Sequence, residues 1–266
     1  MLILYGEYTR SKDGEIGIGS LIKVFSNFGL SEQSVRSAVS RMCRAGLLKV
    51  RRKGPKSYYS LTETGSNLLT KGAKRIFERK SNHWDGKWNI VVYFIPEEKR
   101  QARDRLRPEL TWMGFGPLSE ATWISPHNLL KEVEETAGKL KIKEYVQVFQ
   151  ATHNGLTESQ KLVSRCWDLN MIHRKYAEFV NKYKPKLENH LKRLRAGNIV
   201  APGDCFVERF NLIHEYRKLP YFDPDLPDEL LPKNWLRSKA ADLFQQYYNL
   251  LNEDATKYFK SVIKEY

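Results

Sequence analysis

Apolar residues at Val35, Ala38, Val39 and Met42 recur at i, i+3, i+4 and i+7, the period of one helical face. The spacing predicts a helix opening at Ser31, whose hydroxyl can accept a bond from a first-turn amide, after a turn at Gly29 and Leu30. Upstream, Leu21, Ile22, Val24, Phe25 and Phe28 predict a mostly buried helix capped by Ser20, and Gly17-Ile18-Gly19 predicts a short edge strand. Downstream of Gly46 the period changes to two. Leu48 and Val50 alternate with Lys49 and Arg51, so a strand from Leu47 to Arg52 is expected with Leu48 and Val50 inward. It turns at Lys53-Gly54-Pro55-Lys56 and returns from Ser57 to Leu61 with Tyr59 and Leu61 inward.

Beyond a polar, basic boundary stretch from Lys71 to Asn82, the elements alternate. Trp88 to Phe94 reads as a strand closed by Pro96, and Ala102, Leu106, Leu110 and Met113 mark a helix from Arg100 to Met113. Strands at Phe115 to Leu118 and Thr122 to Ser125, a helix at Leu129 to Leu140 and a strand at Tyr145 to Ala151 complete a ferredoxin-like β-α-β-β-α-β order. From Thr157 the pattern is helical. Thr157 and Gln160 have capping-box spacing, and the stripe Tyr176, Phe179, Val180, Tyr183 is expected to end at Lys184-Pro185. Another helix runs through Phe206, Phe210 and Ile213. After a proline-rich loop from Leu219 to Trp235, two closing helices are expected, one through Leu243, Phe244, Tyr247 and Leu251, the other through Ala255, Tyr258, Phe259, Val262 and Ile263.

Charge gives the first helix and hairpin a chemistry. Between Arg36 and Lys56 stand eight Lys or Arg and no acidic residue. The chain carries a net +14, and residues 1–80 hold 16 bases against 6 acids, so most of the excess lies there. Such confinement points to a local polyanion site. Gln33, Arg36, Ser37, Ser40, Arg41 and Arg44 fall opposite the apolar stripe, and long donors mixed with small hydroxyls suit a helix lying in the major groove. Gln33, Ser34, Arg36 and Ser37 come nearest the base edges because such helices enter by their first turns, while Arg41 and Arg44 meet phosphates. Arg52, Lys53 and Lys56 surround a hairpin tip that can reach phosphate or the minor groove. The expected fold class is α+β multidomain: a winged helix-turn-helix over 1–80, a ferredoxin-like domain over 84–153 and an all-α domain over 157–266.

Several runs resemble the PaaX family. They are Leu4-Tyr5-Gly6-Glu7-Tyr8, Ser34-Val35-Arg36-Ser37-Ala38-Val39-Ser40-Arg41, Ser57-Tyr58-Tyr59-Ser60-Leu61-Thr62, Trp84-Asp85-Gly86-Lys87-Trp88, Leu110-Thr111-Trp112-Met113-Gly114-Phe115-Gly116, His214-Glu215-Tyr216-Arg217 and Leu230-Leu231-Pro232-Lys233-Asn234-Trp235. The resemblance covers nearly the whole chain. It implies a bacterial transcriptional repressor of aromatic catabolism, of the phenylacetate type, released from double-stranded operator DNA by an acyl-coenzyme A such as phenylacetyl-coenzyme A. For that ligand, Arg107 and Arg217 suit phosphates, and Trp112, Trp123 and Trp235 suit an aromatic wall. A homodimer is expected, since one helix reads only a few base pairs and a second half-site supplies the rest.

Other classes fit poorly. Cys43, Cys166 and Cys205 are far apart and odd in number, making neither a disulfide framework nor a zinc cluster. His214 and Glu215 are adjacent and project differently from a helix, so no metal is expected, and no phosphate loop or dinucleotide fingerprint implies a cofactor. The ferredoxin-like fold also serves small CRISPR-associated nucleases, which need an acidic metal ligand ending the first strand; Phe94-Ile95-Pro96 stands there, so no enzyme is expected. No apolar run is long enough for a membrane span, and a cytoplasmic protein is expected.

Overall fold

The structure, a computed structural model, describes residues 1–9, 14–77, 83–155 and 157–265. It is α+β, with two small sheets and a helical C-terminal region. The chain forms two compact units: Met1–Glu78 with Glu178–Arg217 and Ser238–Tyr266, and Arg79–Ala177 with Lys218–Arg237. The helical segment expected over 157–266 therefore contributes to both.

The first unit opens with α1 (Leu2–Tyr8), β1 (Ile16–Gly17), α2 (Ile18–Ser26), α3 (Glu32–Arg44), β2 (Leu48–Lys53), β3 (Lys56–Leu61) and α4 (Glu63–Phe77). The three strands form an antiparallel sheet in the order β1-β3-β2. α4 covers the first part of the boundary stretch expected from Lys71 to Asn82; residues 78–82 lie outside the described residues. The expected strand Gly17-Ile18-Gly19 is shorter and earlier, since α2 begins at Ile18. Ser20 is not its cap. It lies inside the helix, buried, and its hydroxyl donates to the Val262 carbonyl at 3.4 Å.

In the second unit, β4 (Lys87–Tyr93), α5 (Arg100–Met113), β5 (Gly116–Ser119), β6 (Thr122–Ser125), α6 (Leu130–Lys139) and β7 (Val146–Thr152) follow one another. Their antiparallel sheet has the order β5-β6-β4-β7. Leu106 and Leu110 of α5 and Val133 and Ala137 of α6 pack with Val91, Tyr93 and Trp123 from one face of it. On the other face Trp88 and Ile124 meet Val163, Cys166, Leu226, Leu230 and Leu231.

The remaining helices are α7 (Ser159–Cys166), α8 (Leu169–Arg195), α9 (Pro202–Tyr216), α10 (Leu219–Phe222) and α11 (Arg237–Glu265). No capping box forms at Thr157: the cap position of α7 is Glu158, without a side-chain bond, and the Gln160 amide donates instead to the Glu229 carbonyl at 3.4 Å. α8 does not stop at Pro185. Tyr183 and Leu187 are buried on either side, and that packing outweighs the lost backbone bond. The two expected closing helices are one, α11, because Asn252, Glu253 and Asp254 include no breaker and Glu253 pairs with Lys257 at 2.8 Å across the junction. The proline-rich loop is held in place. Arg237 donates to both Asp223 oxygens at 2.7 Å and to the Leu226 carbonyl at 2.8 Å, and the Tyr176 hydroxyl donates to Asp223 at 2.6 Å.

In the first unit the N-terminal helices share one core with α9 and α11. Leu4, Tyr5, Leu21, Val24, Phe25, Val35, Val39 and Leu48 pack in one cluster with Phe206, Phe210, Ala255, Phe259 and Val262. A buried charge joins the same elements: Arg209 donates to Glu7 at 2.8 Å, Glu7 also accepts from the Tyr248 hydroxyl at 2.6 Å, and the guanidinium lies 4.1 Å from the Tyr248 ring centroid.

Candidate nucleic-acid interface

α3 begins as its sequence requires, with the Ser31 hydroxyl accepting from the Ser34 amide at 3.2 Å. Val35 and Val39 are buried, and Ala38 and Met42 half-buried. The opposite face is open. Gln33, Ser34, Arg36, Ser37, Ser40, Arg41 and Arg44 are all exposed, so the structure brings the expected helix residues onto one surface. Arg36 is held by Glu32, one turn back, at 2.7 Å, and Arg41 donates to the Ser37 hydroxyl at 3.4 Å. Both pairs lie along the helix and can be exchanged for DNA contacts.

The hairpin is continuous with this surface in sequence. Lys53 pairs directly with Lys56, and Gly54, at φ 57°, with Pro55 makes the two-residue connection. Like charges thus stand opposite one another across the tip. Arg52, Lys53 and Lys56 are exposed. Val50 is not inward as expected: it is 50% exposed, because β2 is an edge strand and the core reaches only Leu48 of it.

The alternation could not reveal the partner of Arg51. Both oxygens of Glu15, just before β1, accept from this guanidinium, which holds the Glu15 carboxyl below its ordinary range. An acidic group thus stands against a strand that looks wholly basic in sequence. Burial raises the Cys43 thiol above its ordinary range and pushes Cys166 and Cys205 up to about 11, so none is poised as a thiolate.

The residues expected to meet an effector are dispersed. Arg107 and Trp123 meet at the Tyr93 hydroxyl, which accepts from them at 3.1 and 3.4 Å and donates to the Glu120 carbonyl at 2.6 Å. Trp123 is a core residue. Trp112 is 44% exposed and packs on Tyr221 with ring centroids 5.0 Å apart. Trp235 lies 5.6 Å from the His173 ring centroid. Arg217 belongs to the other unit, where its Nη2 is 3.4 Å from the His214 Nδ1. At the end of β4 stands Phe94, 92% exposed, and among the described residues no group of three His, Cys, Asp or Glu could hold a metal.

Comparison with known proteins adds family models and relatives to this geometry. Residues 1–65 match the model described as PaaX-like protein, 81–163 the PaaX protein central Cas2-like domain, and 167–261 the PaaX-like protein C-terminal domain. The Transcriptional repressor PaaX of Escherichia coli is 32% identical over 248 residues, spanning 92% of this chain and 77% of that protein. The chain belongs to the PaaX family. A solved structure of an uncharacterized protein, Rv0674, from Mycobacterium tuberculosis is similar at a TM-score of 0.64 and 20% identity, covering 98% of this chain and 97% of the other, and shows the fold alone. In PaaX-family terms, α3 and the hairpin lie within the PaaX-like match, and four of the five dispersed residues, all but Arg217, lie in the second compact unit. No helix among the described residues is long and apolar enough to cross a membrane.

Proposed function

We propose that this PaaX-family chain is a sequence-specific DNA-binding transcriptional repressor and not an enzyme. The observation that carries it is the exposed face of α3, where Gln33, Arg36, Ser37, Ser40, Arg41 and Arg44 gather opposite a buried valine stripe. The sheet order β1-β3-β2 behind α2 and α3 supports a winged helix-turn-helix, with β2 and β3 as the wing. The order β5-β6-β4-β7 supports a ferredoxin-like middle domain. In this reading three chain segments, 1–80, 84–153 and 157–266, carry DNA reading, a scaffold and a helical region. The protein acts as a homodimer on two half-sites, and an acyl-coenzyme A, with phenylacetyl-coenzyme A the first to try, releases it.

Base contacts and phosphate contacts have different signatures. Arg36→Ala lowers affinity for the cognate duplex by about 1 to 3 kcal/mol and relaxes sequence preference. Lys53→Ala weakens all duplexes alike and reduces the salt slope by roughly one. Equal losses on cognate and random DNA for both variants refute the assignment. Titrating the complex with the thioester, with free phenylacetate and coenzyme A as controls, tests the effector: it must favour the state that does not bind DNA. Calorimetry showing no binding would remove that part while leaving DNA binding in place.

A further inference from the structure

We infer that the tip of the hairpin joining α8 and α9 is a second DNA contact, in which Lys192, Arg193 and Arg195 grip backbone phosphates beside the groove that α3 enters. This rests on the DNA-binding reading and extends it to residues outside the N-terminal helices and the wing. All three cations are exposed in the last turn of α8, and none has an ion pair among the described residues. The lysines before them are paired: Lys182 with Glu215 at 3.9 Å, Lys184 with Glu188 at 3.7 Å and Lys186 with Glu208 at 2.8 Å. From Asn189 to Gly203 the chain has no acidic residue.

The three side chains are not needed to close the helix. The amides of Ala196, Asn198 and Gly197 donate to the carbonyls of Lys192, Arg193 and Leu194 at 3.1, 3.0 and 3.0 Å, with Gly197 at φ 72°. Val200 then turns inward, buried, and anchors the loop, while its neighbour Ile199 is 89% exposed. The tip is therefore a fixed, basic projection.

Contacts within the first unit put this tip at the start of α3. The Arg193 guanidinium is near enough to Cys205, on α9, for its charge to act on that thiol. The next residue, Phe206, meets the Phe28 ring at 6.2 Å, and Phe28 leads through the turn between α2 and α3 to Ser31, the cap of α3. Tyr258 of α11 joins the same elements: a Cβ on Gly203 would meet its ring at 3.5 Å, and its hydroxyl accepts from the Asn27 amide at 2.7 Å. In a helix-turn-helix the first helix crosses the DNA backbone and the second enters the groove by its first turns. A basic tip beside the connection between them lies by the phosphates that flank the groove. Guanidinium forks match phosphate oxygens, so Arg193 and Arg195 should hold more firmly than Lys192.

Two measurements on the full chain test this. The first is a salt titration of binding to a random-sequence duplex. Lys192→Ala, Arg193→Ala and Arg195→Ala together should make the salt slope shallower by roughly 0.9 for each phosphate released, and by at least one such step. A charge-matched control, Lys182→Ala, Lys184→Ala and Lys239→Ala together, takes exposed cations away from the tip and should leave the slope unchanged. Far-ultraviolet circular dichroism should match wild type in both. The second attaches an iron chelate to Ile199→Cys, which should cut the cognate duplex backbone just outside the half-site read by α3, above the background of the wild-type chain treated alike. Equal slopes for the two triple variants, or cutting no stronger than that background, would overturn the second contact and leave the α3 reading standing. A wild-type chain that binds no duplex would overturn both.

Discussion

Replacing Phe206 tests whether α2 and α3 have a core of their own. Phe206 is fully buried on α9, with the rings of Tyr258 at 5.3 Å, Tyr8 at 5.4 Å, Phe28 at 6.2 Å and Phe259 at 6.3 Å, centroid to centroid. Phe28 lies between α2 and α3, and the neighbouring Asn27 amide donates to the Tyr258 hydroxyl at 2.7 Å. Phe206→Ala removes a ring from a nest that the α1, α2 and α11 segments fill together. The cavity and lost transfer energy cost about 3 to 5 kcal/mol, a large share of the ~5 to 15 kcal/mol of a whole domain. Hydrogen exchange read by mass spectrometry should show α2 and α3 amides losing protection by about a hundredfold or more, together with those of α9 and α11. Operator affinity should fall in step. A chain cut after residue 80 loses Phe206, Phe210, Ala255, Phe259 and Val262 from the same cluster, so it should bind weakly because it folds poorly as well as because it lacks a second half-site. Loss of protection confined to α9 and α11, with α3 unchanged, would refute the shared core.

Two further outcomes follow from particular contacts. Glu15→Gln removes a carboxylate that accepts from Arg51, so affinity for every duplex should rise, most at low salt; a salt titration with unchanged affinity throughout contradicts this. Arg237→Met leaves Asp223 buried without its cation and should cost about 3 to 5 kcal/mol, whereas a midpoint shift below 1 kcal/mol would show that the proline-rich loop does not depend on the pair.

Local signals in the sequence carried a good deal of the fold. Ser31, the valine stripe and the basic face of α3 can all be read within one helix, and α5 runs from Arg100 to Met113 as its leucine spacing predicts. What escaped depends on distant residues. Ser20 lies inside a helix because its partner is Val262, and Gln160 caps nothing because Glu229 takes its amide. Pro185 breaks no helix because Tyr183 and Leu187 are buried beside it. Phe206, Phe210 and Phe259 are plainly apolar in sequence, but no periodicity tells that they complete the core of the N-terminal helices. Of the candidate interface, the basic surface was legible, and the Glu15 carboxylate against Arg51 was not.

The most direct test of the DNA-reading claim is selection of the full chain against a library of random duplexes. The account predicts enrichment of an inverted repeat whose half-site centres lie one helical turn, or a whole number of turns, apart, bound about a thousandfold or more tighter than random DNA. Arg36→Ala should select a degenerate version of the same half-site. A chain that enriches no sequence, or binds every duplex equally at all salt concentrations, would contradict it.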